Sequence, residues 1–436
     1  MAADIERIIK NTEQLSVTPA RTALLAIAEA GYQAIRTPSV IRNAVSHTDN
    51  TLTVQDLTFD LAEYRHLYVI GVGKCSVDAA IELEAILGDR ITAGAVLDVR
   101  PTDRLSRITA YEGTHPYPSK QNVEYTAKLL EIAEQATQHD LVIAIISGGG
   151  STLLAQPVTH TYAEEAALVR HLFKKGATIE ELNTVRKHLS RARGGHLAAA
   201  VHPATLVTLI FSDVPGDDLH IIASGPTVLD PSTCKDAIEV LKRHDVDDAT
   251  FGHEHLFETP KDPEVFSHVH NRLVVTNGTA LEAMRDRAQE LGYKAHIGDT
   301  RLQGEARVVA ADIVKRLHNE KERTVLLYGG ETTVTITGPG KGGRNTELAA
   351  GALSVVHDDE LVTSLASDGR DNTELAGGIA DAHTREQANL RGLRPEDYLF
   401  TNDTYTLFHT LQQGVETGYT GANVADLVIA IKHGPA

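Results

Sequence analysis

Cysteine, basic residues and long apolar runs are all scarce in this chain of 436 residues. Its two cysteines, Cys75 and Cys234, allow one disulfide at most, so no disulfide framework holds the fold together. The longest apolar runs, such as residues 141–146, are far shorter than the roughly 20 residues of a membrane-spanning helix. The N-terminus lacks a basic stretch followed by an apolar one, so we expect no secretory signal. We therefore expect a cytoplasmic protein without a membrane partner.

The charge balance is strongly acidic, with 41 lysine and arginine residues against 59 aspartate and glutamate residues. Phosphate backbones select for clustered lysine and arginine, so we expect no nucleic-acid partner. A local basic pocket would still suffice to bind an anionic small substrate. The hydrophobic and charged fractions, 42% and 23%, are those of a globular protein, and the length predicts two domains.

Short apolar runs alternate with amphipathic stretches, as is typical of α/β domains. Apolar runs predict buried strands at residues 67–70, 141–146, 205–211, 273–275, 324–328 and 361–365. Helical spacing predicts helices at residues 77–87, 123–137, 278–291 and 346–353. We predict two α/β domains with largely parallel, Rossmann-like sheets and an active-site cleft between them. Their bounds are residues 1–245 and 271–436, joined by a connector at residues 246–270.

A glycine turn with a lysine follows the first predicted strand. Gly73 and Lys74 lie between this strand and a helix, where ligands bind in open α/β sheets. Ser76 replaces the third glycine of a dinucleotide-binding fingerprint, and the first glycine of a Walker loop is absent as well. A lysine beside exposed N–H groups can bind an anion, although a plain turn with a solvated lysine would look the same.

A second glycine loop follows the next predicted strand. It consists of Ser147, Gly148, Gly149, Gly150 and Ser151. Consecutive glycines allow the backbone N–H groups to approach a phosphate or carboxylate closely. Tight packing without a ligand is the structural alternative.

Two further segments of the N-terminal half carry charged candidates. Arg186 and Lys187 belong to the most basic run, residues 183–195, which forms either a solvated helix face or part of an anion pocket. Asp213 opens an acidic turn after a strand, and clustered carboxylates there suggest a metal or a proton-accepting role. An exposed acidic turn explains Asp217 and Asp218 better than it explains Asp213.

The C-terminal half repeats this arrangement. Arg344 and Asn345 follow two glycines and open a predicted helix, and a guanidinium can hold a planar oxyanion through two hydrogen bonds. Asp368 and Asp371 follow a predicted strand, where an Asx turn without chemistry is the alternative. Closely spaced histidines at residues 253–255 and 268–270 have no cysteine nearby, and we expect no dedicated metal site there.

The whole set of motifs resembles the glycerate 2-kinases with a C-terminal MOFRL domain, some of which are labelled hydroxypyruvate reductases. The resemblance rests on residues 71–74, 113–116, 147–151, 183–195, 212–218, 222–227, 342–345 and 417–424. It implies two α/β domains that use ATP and Mg²⁺ to phosphorylate D-glycerate at its 2-hydroxyl, giving 2-phosphoglycerate. This sequence departs from the family pattern at Cys75, where alanine is usual, and at residues 371–373, which are one residue shorter.

Carried onto this sequence, the resemblance implies Lys74 and Arg344 as catalytic cations and Asp213 and Asp371 as active-site carboxylates. The predicted substrate- and nucleotide-binding residues are Gly73, Ser147, Gly148, Gly149, Gly150, Ser151, Arg186, Lys187, Asn345 and Asp368. The metal ligands and the oligomeric state, a homodimer included, stay open.

Three alternatives remain at the level of sequence. The first is a kinase of another small sugar acid, such as a four-carbon aldonate. The second is an NAD(P)-dependent hydroxypyruvate reductase, favoured only by Asp98, which stands roughly where a ribose-binding acid would. The third is a non-catalytic acid-binding protein, in which the paired cations and carboxylates would be superfluous.

Overall fold

The computed structural model describes residues 7–246 and 251–434 of the chain. These residues form two compact units that are both discontinuous in sequence. The N-terminal unit contains residues 37–213 and 217–274, and the C-terminal unit contains residues 7–36, 214–216 and 275–434. The division differs from the predicted bounds, since residues 7–36 group with the C-terminal residues. The predicted cleft between the domains stays a prediction.

The secondary structure of the described residues is mixed throughout. The strands are β1 (Val45–Thr48), β2 (Thr51–Val54), β3 (Leu57–Asp60), β4 (His66–Val72), β5 (Ala93–Asp98), β6 (Ile108–Glu112), β7 (Asp140–Ile146), β8 (Thr205–Phe211), β9 (Val269–Val275), β10 (Lys294–Leu302), β11 (Thr324–Gly330), β12 (Glu360–Ala366), β13 (Gly377–Asp381), β14 (Gly414–Val415) and β15 (Asp426–Lys432). The α-helices are α1 (Thr12–Leu15), α2 (Pro19–Ala34), α3 (Thr37–Ala44), α4 (Ser76–Leu87), α5 (Lys120–Gln135), α6 (Gly150–Leu153), α7 (Tyr162–Lys174), α8 (Ile179–His188), α9 (His196–Val201), α10 (Cys234–Arg243), α11 (Asn277–Glu290), α12 (Ala306–His318), α13 (Arg344–Leu353), α14 (Ala382–Leu390), α15 (Pro395–Thr401) and α16 (Thr404–Leu411). Short 3₁₀ turns occupy Gly88–Arg90, Ile222–Ser224, His253–His255 and Pro263–Phe266. Within the described ranges, no helix combines the length and the apolar character needed to cross a membrane.

A Rossmann-like sheet forms the centre of the N-terminal unit. Its strand order is β6-β5-β4-β7-β8-β9, and the pairs from β6 to β8 are all parallel. Counted from β4, this is the order 3-2-1-4-5-6 of dinucleotide-binding sheets. Every residue of β7 is buried, as expected for a parallel strand that is covered on both faces. The predicted parallel sheet is confirmed for this unit, where a small antiparallel sheet, β1-β2-β3, also occurs.

Capping interactions and apolar packing set the position of α8. Thr178 accepts a hydrogen bond from the backbone N–H of Glu181, whose side chain accepts one from the backbone N–H of Thr178 in return. This capping box satisfies N–H groups that the helix start leaves without partners. Val185 is fully buried in an apolar cluster with residues of α7 and α10, which orients the last turn of α8. That turn carries Arg186 and Lys187.

The sheet of the C-terminal unit is mixed, so the prediction of a largely parallel sheet is wrong for this half. Its order is β10-β11-β15-β12-β13-β14, in which only the pair of β10 and β11 is parallel among the described strands. β13 follows β12 after residues 367–376, which are too few for the crossover that a parallel pair requires. The last strand, β15, enters between β11 and β12 in the opposite direction.

The N-terminal helix α2 is part of the C-terminal unit. Gly31 faces Met284 of α11, where an added Cβ atom would lie 2.6 Å from the methionine sulfur, so a side chain there would require Met284 to move. The fully buried Arg21 donates from Nε to Asp381 Oδ2 at 2.6 Å and from Nη2 to Oδ1 at 2.7 Å. A buried guanidinium needs such a bidentate partner to offset its desolvation. This ion pair therefore joins α2 to the end of β13.

Candidate active site

The two predicted glycine loops of the N-terminal unit lie side by side at the carboxyl ends of β4 and β7. The backbone N–H of Lys74 donates to the carbonyl of Gly148 at 2.9 Å, and that of Ser147 donates to the carbonyl of Val72 at 3.0 Å. The strand order reverses at this point, and sheets of this kind bind their ligands in the crevice at such a reversal.

Close contact between the loops explains the glycine at position 73. Gly73 has a φ of +122°, and a Cβ atom there would lie 2.1 Å from Oγ of Ser147. A side chain would therefore separate the two loops. Ser147, which is buried, also accepts a hydrogen bond from the backbone N–H of Cys75 at 3.4 Å. Gly73 and Ser147 thus shape the loops through their contact with each other.

Lys74, His115 and Gly149 converge at this edge of the sheet. A Cβ atom on Gly149 would lie 3.2 Å from Cγ of Lys74 and 3.3 Å from Cδ2 of His115, so a side chain would fill the space beside both. Although part of His115 is exposed, its partial burial and the positive charges of Lys74 and Arg186 lower its pKa to about 4. The imidazole is therefore neutral at pH 7 and can accept or donate a hydrogen bond there.

Arg186 and Arg193 of the basic run form an incompletely neutralised pair of cations. Arg193 is fully buried and donates from Nη1 to Oε1 of the equally buried Glu165 at 2.6 Å. Burial and the charge of Arg193 lower the pKa of Arg186 to about 10. Within residues 7–246 and 251–434, Nε and Nη2 of Arg193 and Nε of Arg186 have no hydrogen-bond partner. Buried N–H groups of this kind usually require an acceptor.

Ser151 and Gly150 contact a strained segment that follows β8. Oγ of Ser151 lies 2.9 Å from Oγ of Ser224, which donates to Asn183 of α8 at 2.7 Å. Ala223 and Ser224 have φ angles of +50° and +61°, in a region that non-glycine residues seldom occupy. A Cβ atom on Gly150 would lie 2.6 Å from Cβ of Ala223. Strain of this kind is concentrated at functional sites in proteins.

Asp213 follows β8 at the same edge of the sheet as the glycine loops. β8 pairs in parallel with β7, and Ile146 is opposite Ile210 in the register. Asp213 and Asp217 are both half-buried, whereas Asp218 is exposed. The expectation of an exposed turn therefore holds for Asp218, but burial does not separate Asp213 from Asp217.

The candidates of the C-terminal unit gather where β11 and β12 end and β15 begins. Arg344, the first residue of α13, pairs through Nε and Nη2 with the two oxygens of Asp426, the latter at 3.2 Å. Its Nη1 lies 2.5 Å from Oε1 of Glu331. Burial alone would lower the pKa of Arg344, but the Asp426 and Glu331 carboxylates outweigh burial and raise it. The guanidinium is therefore held between two carboxylates.

Asp426 is a site residue that sequence reasoning missed. In the sheet register it lies opposite Gly330 of β11 and Ala366 of β12, so the topology places its carboxylate at the strand ends. Burial raises its pKa to about 6, and the Arg344 charge limits this rise. The signal in the sequence was weak, because Asp426 is a lone acidic residue at the start of an apolar run.

Asp371 caps the start of α13. Its Oδ1 accepts from the backbone N–H and the side-chain amide of Asn345 at 3.0 and 3.2 Å. Its Oδ2 accepts from the backbone N–H and the hydroxyl of Thr346 at 2.7 and 2.8 Å. Burial raises the pKa of Asp371, and these hydrogen bonds oppose the rise. A carboxylate offers about four lone-pair directions, so this arrangement leaves little capacity for a reacting hydroxyl.

The remaining candidates of this unit have local partners. Asn345 is buried, and its Oδ1 accepts from the hydroxyl of Ser364 at 2.6 Å. Oδ1 of Asp368 accepts from the backbone N–H of Arg370 at 3.0 Å, which is the Asx turn that was the alternative for this residue. Both residues therefore shape the edge of the sheet around Arg344.

The chain is similar to proteins of known name over most of its length. The family called DUF4147, a domain of unknown function, matches residues 23–255, and the MOFRL family matches residues 324–426. Glycerate 2-kinase of Pyrococcus horikoshii is 37% identical over 412 residues, which cover 90% of this chain and 92% of that protein. The chain belongs to the glycerate kinase family with DUF4147 and MOFRL domains. The family membership predicted from the motifs is confirmed.

Two further comparisons extend this result for the glycerate kinase family. The crystal structure of glycerate kinase from Thermotoga maritima superposes with a TM-score of 0.83 at 32% identity, covering 94% of this chain and 99% of that one. A relative from Agrobacterium vitis, 36% identical over 82% of this chain and 85% of its own length, is called a putative hydroxypyruvate reductase. Both names that the sequence resemblance implied thus occur among the relatives.

The residue that favoured a reductase has a structural role in this glycerate kinase family member. Asp98 is fully buried, and its Oδ2 accepts from the backbone N–H of Val77 at 3.1 Å, in the first turn of α4. Its Oδ1 accepts from the backbone N–H of Val99. A carboxylate occupied in this way caps a helix and does not face a ribose. Asp98 therefore no longer favours the reductase.

Lys187 pairs with a buried carboxylate of its own. Its ammonium lies 3.1 Å from Oδ1 of Asp230, and both side chains are buried. Oδ2 of Asp230 also accepts from the hydroxyl of Thr259 at 3.2 Å. This pair joins α8 to the segment before α10, and breaking it would leave a buried charge without a partner.

Proposed function

We propose that this protein transfers the terminal phosphoryl group of ATP to the 2-hydroxyl of D-glycerate, giving 2-phosphoglycerate. Curated relatives named glycerate kinases cover most of the chain and support glycerate kinase activity. The structural observation that carries the assignment of residues is the convergence of Lys74, Gly149 and His115 beside Arg186. Phosphoryl transfer depends mainly on positioning and on neutralising charge, and this cluster suits both tasks.

The phosphate groups of ATP are the ligand that best fits the N-terminal cluster. Lys74 and Arg186 supply positive charge, and the glycine loop allows close approach of the backbone. Arg186 and Arg193 share one carboxylate, Glu165, so the group carries an excess of positive charge. Neutral His115 can donate a hydrogen bond without adding charge. We assign Lys74 to the transferred phosphoryl group and leave Lys187 out of this set.

Arg344 is our candidate for holding the carboxylate of glycerate or an oxygen of the transferred phosphate. The Asp426 carboxylate keeps the guanidinium in one orientation, so Asp426 acts as a positioning residue. Asp371 and Asn345 act in the same way, because they fix the first turn of α13, on which Arg344 lies. We therefore propose a positioning role for Asp371 in place of the catalytic role that the resemblance implied.

We assign Asp213 to the hydroxyl or to Mg²⁺, because it follows β8 at the same edge of the sheet as the glycine loops. Hard carboxylate oxygens are the ligands that Mg²⁺ prefers, so Asp213 fits a metal held directly or through water. When bound, Mg²⁺ neutralises charge on phosphate oxygens. If Asp213 holds the metal, Asp213→Asn should raise the Mg²⁺ concentration needed for half-maximal rate. If it orients or deprotonates the hydroxyl, the rate should stay low at saturating Mg²⁺.

Product identification tests the proposed reaction. Purified protein is incubated with ATP, Mg²⁺ and D-glycerate, and the product is identified by ³¹P and ¹H NMR. Phosphate on C2 is the expected result, and phosphate on C3 would contradict it. Phosphorylation of a four-carbon aldonate but not of glycerate would favour the other kinase. Oxidation of NADH with hydroxypyruvate and no turnover of ATP would contradict both kinases.

A cytoplasmic location is part of this proposal. Cys75 and Cys234 are both buried and not disulfide-bonded, which suits a reducing compartment. A homodimer stays a prediction, which the molecular mass in solution would test.

A further inference from the structure

Three side chains from separate segments of the N-terminal unit converge outside the candidate active site. They are His188 at the end of α8, Cys234 at the start of α10, and Glu258 in the segment that leads to β9. One nitrogen, the sulfur and one carboxylate oxygen all lie within 4.8 Å of one another. His188 and Cys234 are buried, whereas the Glu258 side chain is 46% exposed.

The orientation of His188 suits a metal ligand. Its Nδ1 lies 2.8 Å from the carbonyl oxygen of Thr184, to which it can donate a hydrogen bond. Nε2 lies 3.1 Å from Oε1 of Glu258, which is a hydrogen-bond distance and requires a proton on Nε2 when no metal is bound. A bound metal would take the place of that proton, because Nδ1 keeps its own and Nε2 then offers a lone pair. Two ligands of a tetrahedral Zn²⁺ are separated by about 3.3 Å when each bond is about 2.0–2.1 Å long. The separation of Nε2 and Oε1 is therefore close to that of two zinc ligands.

The chemistry of the three groups selects among metals. Imidazole nitrogen, thiolate sulfur and carboxylate oxygen are the three protein ligand types of Zn²⁺. Mg²⁺ and Ca²⁺ prefer oxygen ligands, so a site with sulfur and nitrogen does not suit them. A hydrogen bond from a histidine ligand to a backbone carbonyl is also the usual outer-shell arrangement at zinc sites.

Ring stacking distinguishes a second histidine cluster, in the C-terminal unit, from this one. There, His318 and His357 stack with ring centroids 3.8 Å apart beside the fully buried Glu360, whose carboxylate already pairs with Lys432. Near-parallel rings direct their nitrogen lone pairs side by side, which is unsuitable for chelation. Each cluster has a lysine near its carboxylate. Nζ of Lys261 lies 3.4 Å from Oε1 of Glu258 and donates to the carbonyl of Asp230 at 2.8 Å, just as Lys432 donates to the carbonyl of His318 at 2.9 Å.

We propose that His188, Cys234 and Glu258 form a zinc site with one open position for water. The site would join the end of α8 to the start of α10. Arg186 lies two residues before His188 on α8, so bound zinc would also hold the last turn of the helix that carries it. The proposal does not depend on the proposed function, because it concerns the binding of the metal alone.

Cobalt spectroscopy on single-cysteine variants tests the site. The reduced full-length protein is titrated with Co²⁺ and then with Zn²⁺, and bound metal is counted after dialysis. We expect one equivalent of metal, visible d–d bands of a tetrahedral site and a thiolate-to-cobalt charge-transfer band. The band should persist in Cys75→Ala, which keeps Cys234 as the only cysteine and introduces the alanine that is usual in the family.

Ligand variants and matched controls decide the outcome. Cys234→Ala should abolish the charge-transfer band. Cys234→Ala and Glu258→Gln should each weaken Zn²⁺ binding by about a hundredfold or more, which is at or above the effect of changing outer-shell partners. Lys261→Gln should strengthen binding, and Glu360→Gln should leave it unchanged. Absence of bound metal in the parent protein, or a band that survives in Cys234→Ala, would overturn the proposal. If Cys234→Ala does not fold, unaltered Zn²⁺ affinity in Glu258→Gln would overturn it as well.

Discussion

The cation clusters of the two units differ in how far carboxylates neutralise them. In the N-terminal unit, Arg186 and Arg193 lie beside one buried carboxylate, Glu165, and three of their N–H-bearing nitrogens have no partner among the described residues. In the C-terminal unit, Arg344 alone pairs with two carboxylates, Asp426 and Glu331. The first arrangement leaves an excess of positive charge, and the second holds one charge in place.

This difference indicates different tasks for the two clusters. An excess of buried positive charge is unfavourable unless an anion arrives, so the N-terminal cluster is suited to bind a polyphosphate. A guanidinium held by carboxylates attracts a distant anion only weakly, but its orientation is set in advance, which lowers the cost of aligning a reactant. We therefore expect the first cluster to dominate binding and the second to dominate alignment.

The largest predicted effect follows from removing either central cation. Lys74→Ala and Arg344→Ala should each lower kcat by about a hundredfold or more, the scale of losing one preorganised charge contact. ADP release with saturating D-glycerate measures the rate, and circular dichroism confirms folding. Lys128→Ala and Arg285→Ala, which remove exposed surface ion pairs, are the controls and should keep full activity. Near-normal rates in both cluster variants would show that the site is misplaced.

A smaller effect should separate the two carboxylates that hold Arg344. Asp426→Asn should lower kcat by about tenfold to a hundredfold, since a misaligned guanidinium costs transition-state contacts. Glu331→Gln should change kcat by less than about threefold, because the Glu331 side chain is 45% exposed and such pairs contribute little. Steady-state kinetics on both variants make the comparison. Equal losses would mean that Asp426 has no special role in orienting Arg344.

The pH dependence of turnover should reveal the same pair. The pKa of Asp426 is raised to about 6, so its carboxyl group is neutral below that pH and charged above it. The ion pair with Arg344 is therefore complete above pH 6 and lost as the pH falls, and kcat should decrease on the acidic side. Asp98, with a pKa also raised to about 6, caps a helix in the other unit. In Asp426→Asn this acidic decrease of kcat should vanish. If the decrease persists, another group causes it.

Asp371 should affect stability more than turnover. In Asp371→Asn, the oxygen that accepts hydrogen bonds from the backbone N–H and the hydroxyl of Thr346 is lost. The free energy of unfolding should therefore fall by about 1–3 kcal/mol. A positioning residue should leave kcat within about tenfold of the parent value, whereas loss of a general base costs about 10²–10⁴. Thermal unfolding and steady-state kinetics on the same preparation separate these outcomes. A loss of kcat beyond a hundredfold with unchanged stability would restore the catalytic role of Asp371.

Local sequence patterns were sufficient for many elements. The apolar run at residues 205–211 is β8, and the helix predicted at residues 278–291 is α11 (Asn277–Glu290). The direction of the C-terminal strands could not be predicted in this way. Apolar runs have the same appearance in parallel and antiparallel central strands, and nothing local shows that β15 inserts between β11 and β12.

Histidine spacing shows the same limit for metal ligands. Neighbouring histidines at residues 253–255 and 268–270 drew attention in the sequence, whereas the groups that converge in the structure are far apart along the chain. His188 and Cys234 are brought together by the packing of α8 against α10, and Glu258 joins them from the segment that leads to β9. Spacing detects only ligands that share one helix or turn.

By itself, the sequence determined where strands end in glycine loops and which cations follow them, because turn chemistry and hydrophobic periodicity depend on near neighbours. It was also sufficient for the family, since several motifs occur in the right order. Only the tertiary structure decided which charges meet: Asp426 with Arg344, Lys187 with Asp230, and Asp371 with the first turn of α13. Those pairings depend on contacts between residues distant in the chain, and burial there decides whether a charge is neutralised in the fold or left for a ligand.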